Sequence, residues 1–363
     1  MILNPFNSCT DSKSFFSSLR AVVTIHIYPY VTSQHMILVT GGAGYIGSHC
    51  AIRLIEEGKD IVIFDSLELG HKETVDTLMS VSKGSKVEFV QGDLKDPSDI
   101  RSVFEKYDID AVVHFAAYSQ VAESMKDPQK YYYNNVYGTL NLLSAMKDAG
   151  VGKIVFSSTA ATYGEPEYVP IDEAHPQMPI NPYGNSKLMV ERIMDDYSRA
   201  YGLRSVRLRY FNVVGADGRI GEWHVPETHL VPNVLKSVLS PGGVFSMFGT
   251  DYDTRDGTCV RDYIDVRDLI DAHILALSYL DKGGETDYFN LGTNDGSTVR
   301  EVFSECEAVV GSKIQVNECA RRPGDPAVLI ADNQKAKSVL GWEPKHTLKE
   351  SVETAWSWEQ KLN

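Results

Sequence analysis

Val39-Thr40-Gly41-Gly42-Ala43-Gly44-Tyr45-Ile46-Gly47 leaves a β-branched apolar run and enters an amphipathic one. Its glycines stand where a backbone must turn tightly and let a pyrophosphate approach. Gly41, Gly44 and Gly47, with Tyr45 and Ile46 opening the helix, are therefore candidate contacts to a dinucleotide. The next apolar run ends in Asp65, 18 residues after Gly47, where a carboxylate can accept both ribose hydroxyls of an adenosine. Ser66 and Leu67 follow and bring no arginine for a 2′-phosphate, which favours NAD over NADP.

Outward from this turn the pattern repeats. Strands expected at 36–40, 60–64, 86–90, 111–115, 153–157 and 205–209 alternate with helices expected at 48–57, 98–107, 131–148 and 183–201. That order predicts an α/β fold with a doubly wound parallel sheet covered on both faces. Beyond 211 the rhythm loosens into Pro- and Gly-rich connections, with helices expected near 230–239, 266–280 and 348–361. The chain reads as a dinucleotide-binding domain over 36–210 and a smaller, mainly substrate-binding lobe over 211–363, with crossing between them allowed. Open α/β sheets bind ligands at the C-terminal ends of their strands. Asp93 and Leu94 after the third strand are thus candidates for the adenine, and Phe115, Ala116 and Ala117 after the fourth for the dinucleotide.

Tyr183-Gly184-Asn185-Ser186-Lys187 opens a helix and puts a phenol and an ammonium one turn apart on one face. A tyrosine ordinarily titrates near pH 10, so use as a base near neutrality needs about three units, or roughly 4 kcal/mol, of phenolate stabilisation. A nearby lysine and the positive ring of an oxidised nicotinamide both supply it. The hydroxyl run Ser157-Ser158-Thr159 ends the preceding strand on the cofactor side, and Thr159 is the one expected against the reacting hydroxyl. Tyr183, Lys187 and Thr159 form the candidate catalytic set.

These segments, with Arg209-Tyr210-Phe211-Asn212 and Gly257-Thr258-Cys259-Val260-Arg261-Asp262-Tyr263, resemble the UDP-glucose 4-epimerase family of extended short-chain dehydrogenase/reductases over about residues 36–358. The resemblance implies a Rossmann-type fold and UDP-glucose and UDP-galactose as substrates. It further implies NAD as cofactor and a place in galactose metabolism. Tyr183 would remove the C4 hydroxyl proton while a hydride passes to NAD, and the 4-keto sugar would turn over before the hydride returns to its other face. It further implies cofactor contacts at Ser157, Tyr210 and Asn135, and diphosphate contacts at Asn212, Arg261 and Arg322. Phe248 would lie against uracil, Leu230 would offer its backbone to the nucleotide, and Asp325 would reach the uridine ribose. A sugar that must rotate cannot be gripped hard, so affinity has to come from the UDP handle. Ser119 stands where some relatives place a lysine against the cofactor. Leu329 stands where side-chain bulk is thought to limit the sugar's 2-substituent, which leaves UDP-N-acetylhexosamines open. Sister 4,6-dehydratases and decarboxylases need an added acid or base beside the threonine, where this chain has Ala160 and Ala161. A non-catalytic dinucleotide sensor is the remaining alternative.

A net charge of −14 and a pI near 5.2 argue against a nucleic-acid partner. The five cysteines lack a C-x-x-C spacing, so neither a disulfide framework nor a metal site is expected, and the cytoplasm is the natural compartment. Residues 1–35 are Ser-rich and aromatic without a strand-helix pattern. Their best apolar run, 21–30, is interrupted by His26 and falls short of the roughly 20 residues that span a bilayer. They read as a disordered extension or an upstream start, with Met36 the working N-terminus and no membrane partner. The family resemblance also implies a homodimer through the helices at 131–148 and 183–201, although Leu140, Leu143 and Met146 could equally face the chain's own sheet.

Overall fold

The computed structural model describes residues 35–82, 84–322 and 325–362; the extension expected over 1–35 lies, His35 apart, outside them. β1 (Met36–Thr40), β2 (Ile61–Asp65), β3 (Val87–Gln91), β4 (Ile109–His114), β5 (Lys153–Thr159) and β6 (Arg204–Tyr210) fall within two residues of the six runs expected. Then come β7 (Asn212–Val214), β8 (Phe245–Phe248), β9 (Val260–Arg261), β10 (Tyr263–Asp265) and β11 (Asp287–Leu291). β12 (Ser297–Thr298), β13 (Val316–Cys319) and β14 (Val328–Leu329) complete the series.

The central sheet has seven strands in the order β3-β2-β1-β4-β5-β6-β11, and every pairing is parallel. The order reverses between β2 and β4 on either side of β1, which opens a crevice above the end of β1. Period-two alternation sorts the strand side chains. Val39, Ile63, Val113, Val155 and Leu208 face the helices Tyr45–Glu56 and Val266–Asp281. Leu38, Phe64, Val112, Ile154 and Phe156 face Pro97–Lys106, Gly138–Ala149 and Pro182–Tyr201. Leu143 and Met146 are buried on this second face and Leu140 packs against it, so these three serve the chain's own sheet.

The helix expected at 131–148 is broken up. An α-turn at Pro128–Tyr131 runs into a π-helical turn at Tyr132–Tyr137 before Gly138–Ala149 resumes the α-helix. Hydrophobic periodicity carries no signal for a π turn, and such turns gather at functional sites.

β11 was not expected as a strand of this sheet. Together with the helix Val266–Asp281 it returns from the C-terminal half to pair with β6. The rest of that half packs a separate core under the helices Leu230–Leu239, Val299–Val310 and Leu348–Leu362. The second of these escaped the sequence reading although Thr298 and Glu301 form a capping box at its start, a pattern visible in sequence.

Candidate active site

The glycine turn after β1 uses its residues differently. Gly41 has φ +71°, and a Cβ there would stand 2.6 Å from Ala116 N; one on Gly47 would stand 2.2 Å from Gly41 O. These two glycines serve the protein's own backbone. A Cβ on Gly44 would meet nothing nearer than Gly41 O at 3.4 Å, so its missing side chain leaves room in the cleft itself. Asp65 accepts from Ala43 N and Leu67 N, both at 2.9 Å, which fixes its orientation and leaves acceptor sites for a diol. Burial raises its pKa, and those two amides work against the rise. Turn, carboxylate and the small Ala116 and Ala117 border one cleft of about 800 Å³, and together they fit a dinucleotide.

The candidate catalytic residues lie further along the same cleft. Asn181 caps the helix Pro182–Tyr201 by accepting from Gly184 N at 2.8 Å, with Pro182 in its first turn. A Cβ on Gly184 would come 2.3 Å from Ala161 O, so glycine lets the helix start press onto the end of β5. Tyr183, Lys187 and Thr159 all line the cleft. Lys187 Nζ donates to Ser157 O at 2.7 Å, and Ser157 Oγ lies 2.5 Å from the Tyr210 hydroxyl. Burial pushes Tyr183 up to about 12, and a hydrogen bond with Thr159 works against it. Burial pulls Lys187 down to about 7 against the Glu191 carboxylate one turn on. Glu191 is itself buried, accepting from Ser158 Oγ at 2.5 Å and from Arg209 Nε and Nη2 at 3.0 and 2.6 Å. This pair bolts the helix Pro182–Tyr201 to β5 and β6.

Asp93, Leu94, Phe115, Tyr210, Asn212, Asp325, Leu329 and Ser119 also border the cleft, whereas Asn135, Ser157, Leu230, Phe248, Arg261 and Arg322 do not. Asn135 lies beneath it. Its amide oxygen accepts from Tyr118 N at 2.9 Å and its Nδ2 donates to Tyr118 O and Ser186 Oγ at 3.0 and 3.1 Å, so it holds the wall. Arg261 is buried and donates to Asp325 at 2.5 Å. Arg322 is exposed, its guanidinium 4.3 Å from the Phe248 ring centre.

Sequence reading missed the segment 215–229, five residues of which border the cleft between 222 and 226. Glu222, His224, Glu227 and His229 bring ligating atoms within 4.8 Å of one another, a grouping that cysteine spacing could not reveal. In the structure it is an ionic knot, with His229 Nδ1 2.7 Å from Glu222 and 2.8 Å from Glu227. Burial alone would lower His229, but the two carboxylates outweigh it and carry it to about 10.

Comparison with known proteins gives a consistent result. The family described as GDP-mannose 4,6 dehydratase matches residues 38–355. A UDP-glucose 4-epimerase of Lactobacillus helveticus is 51% identical over 325 residues, 89% of this chain and 96% of that protein. The crystal structure of UDP-glucose 4-epimerase from Brucella ovis in complex with NAD superposes with a TM-score of 0.83 at 44% identity, covering 89% of this chain and 97% of that one. The Bifidobacterium longum UDP-glucose 4-epimerase in complex with NAD+ and UDP gives 0.85 at 38% identity, covering 90% and 98%.

Proposed function

This chain belongs to the UDP-glucose 4-epimerase family, and from that premise we propose that Tyr183, Thr159 and Lys187 carry its reaction. The chain is an NAD-dependent isomerase that interconverts UDP-glucose and UDP-galactose by inverting C4 through a transient 4-keto sugar. When bound, NAD supplies the two-electron acceptor and donor and a positive ring beside the phenol. Burial by itself favours a neutral phenol and a neutral amine, so a working base depends on its partners. Tyr183 takes the C4 hydroxyl proton and later returns it. Thr159 hydrogen-bonds that phenol and orients the sugar hydroxyl, while Lys187, anchored on Ser157 O, keeps positive charge within reach of the phenolate.

The observation that carries this assignment is the meeting of Tyr183, Lys187 and Thr159 on a cleft whose other end is the glycine turn and Asp65. Ala160 and Ala161 also border that cleft and offer no acid or base for dehydration. Asn212, Arg261, Arg322, Asp325, Phe248 and the Leu230 backbone are the proposed UDP handle, supported by the Arg261–Asp325 pair at the cleft edge. Residues 36–210 and 211–363 are the proposed cofactor and UDP-sugar parts, with 266–291 lent to the sheet. Protein purified without added cofactor and given UDP-galactose should form UDP-glucose by proton NMR; no conversion even with NAD added would defeat the assignment.

A homodimer belongs to the same reading. Support comes from Tyr133 and Tyr137, stacked at 5.1 Å, and from Met189 and Tyr201, all exposed on the two helical segments. Sedimentation at micromolar concentration should give twice the chain mass. A cytoplasmic location is proposed from the free Cys50, Cys259, Cys306 and Cys319; among the described residues no helix is long and apolar enough to cross a membrane.

A further inference from the structure

The segment 215–229 leaves β7 and returns into the helix Leu230–Leu239. It is tied down repeatedly on the way. The Tyr45 hydroxyl donates to Gly215 O at 2.7 Å, Arg219 pairs with Glu56 at 2.9 Å, and Trp358 Nε1 donates to Glu222 O at 2.9 Å. Its middle carries two further ties. The Trp223 and His71 rings stack at 3.8 Å and 7°, with His71 Nε2 donating to Trp223 O at 2.8 Å. Gln120 Nε2 donates to Pro226 O at 3.2 Å. His71 follows β2 and Gln120 follows β4, the two strands that flank β1 in the sheet. Residues 223–226 therefore span from one side of the glycine turn to the other, and they border the same cleft as Gly44 and Tyr45.

We propose that Trp223, clasped on His71, is a positioning residue that closes this segment over the dinucleotide, so that NAD stays bound through turnover. The inference rests on the cofactor reading above. On this reading, parting either tie frees the segment and opens a way out for a dinucleotide seated on the Gly41–Gly47 turn. The stack is the stronger of them, since it combines an aromatic contact with a hydrogen bond to the same residue. The knot of Glu222, Glu227 and His229 stiffens the segment where it rejoins the helix.

The test measures dinucleotide content and release. NAD is quantified after denaturing the purified protein, and its loss is followed on dilution into cofactor-free buffer, for wild type, Trp223→Ala and Trp223→Phe. Trp223→Ala removes the stack but keeps the carbonyl that accepts from His71, and should lose NAD roughly twofold to tenfold faster. Trp223→Phe, which keeps an aromatic ring on His71, should recover most of the retention. Differences in melting temperature among the three should vanish once NAD is stripped, which a merely structural role would not allow. His71→Ala attacks the same stack from its other side should Trp223→Ala fold poorly. Equal release from wild type and both alanine variants would overturn the clasp alone. Wild-type protein that neither carries nor binds NAD would overturn the cofactor reading, and the clasp with it.

Discussion

The two walls of the cleft are built by different means. The cofactor wall comes from the ends of β1, β2, β4, β5 and β6, each held in register by parallel neighbours and backed by a helix. The wall proposed for the nucleotide sugar draws on β7 and β14, short strands paired with β10 and β9, and on loop residues within 222–229 and 325–326. A ladder fixes a strand end to within a residue, so chemistry that demands a fixed atom is placed there. A wall that must let a sugar turn over tolerates loops, whose positions are set by partners distant in sequence.

Several substitutions would break or sharpen that contrast. Tyr183→Phe removes the proposed base, carried by the helix that packs on the ladder-built wall, and should cut kcat by about 10²- to 10⁴-fold, read by NMR conversion of UDP-galactose. Wild-type turnover in that variant would place the base elsewhere. Glu191→Ala leaves Arg209 buried without its carboxylate and should cost about 3–5 kcal/mol of stability in urea unfolding. A loss under 1 kcal/mol would mean that β5 and β6 do not need this bolt.

A pH series tests how dry the same wall is. Lys187 sits near 7 when folded, against an ordinary 10.5. Between those values the unfolded chain holds a proton that the folded one lacks, so stability rises with pH, by up to roughly 1.4 kcal/mol per unit. Below pH 7 both states are charged and the slope vanishes. Lys187→Met should flatten the climb, and parallel curves for the two proteins would show the ammonium to be better solvated than its burial implies.

The glycine turn offers a smaller, cleaner split. Gly41→Ala should destabilise the fold by about 1–3 kcal/mol, because both its positive φ and Ala116 N oppose a side chain. Gly44→Ala should leave unfolding nearly unchanged and weaken NAD retention instead. On the loop-built wall, Leu329→Ala should raise relative kcat/KM for UDP-N-acetylgalactosamine by about tenfold, the scale of a few methylenes. No change would move the size limit to another residue.

The cofactor half was legible because its signals are local. Glycine spacing, a carboxylate ending the next strand and a Tyr-x-x-x-Lys pair opening a helix are each written within one turn or strand. The substrate half was legible only in part. Asn212 and Asp325 border the cleft, whereas Phe248 and Arg322, which pack on each other, are not among the residues that line it. Asn135, implied as a cofactor contact, gives its amide to Tyr118 and Ser186, a placement made by a π turn that periodicity cannot announce.

By itself the sequence determined the doubly wound sheet and the preference for NAD, and it singled out the glycine turn and the proposed catalytic trio, since each follows from backbone conformation and side-chain spacing over a few residues. Only the tertiary structure decided that β11 returns to extend the sheet and that Arg261 meets Asp325. It also decided that residues 215–229 are tied to the loops after β2 and β4. Those contacts join residues 64 to 152 positions apart, and a pairing over such a span is chosen by the whole packed core rather than by any local pattern.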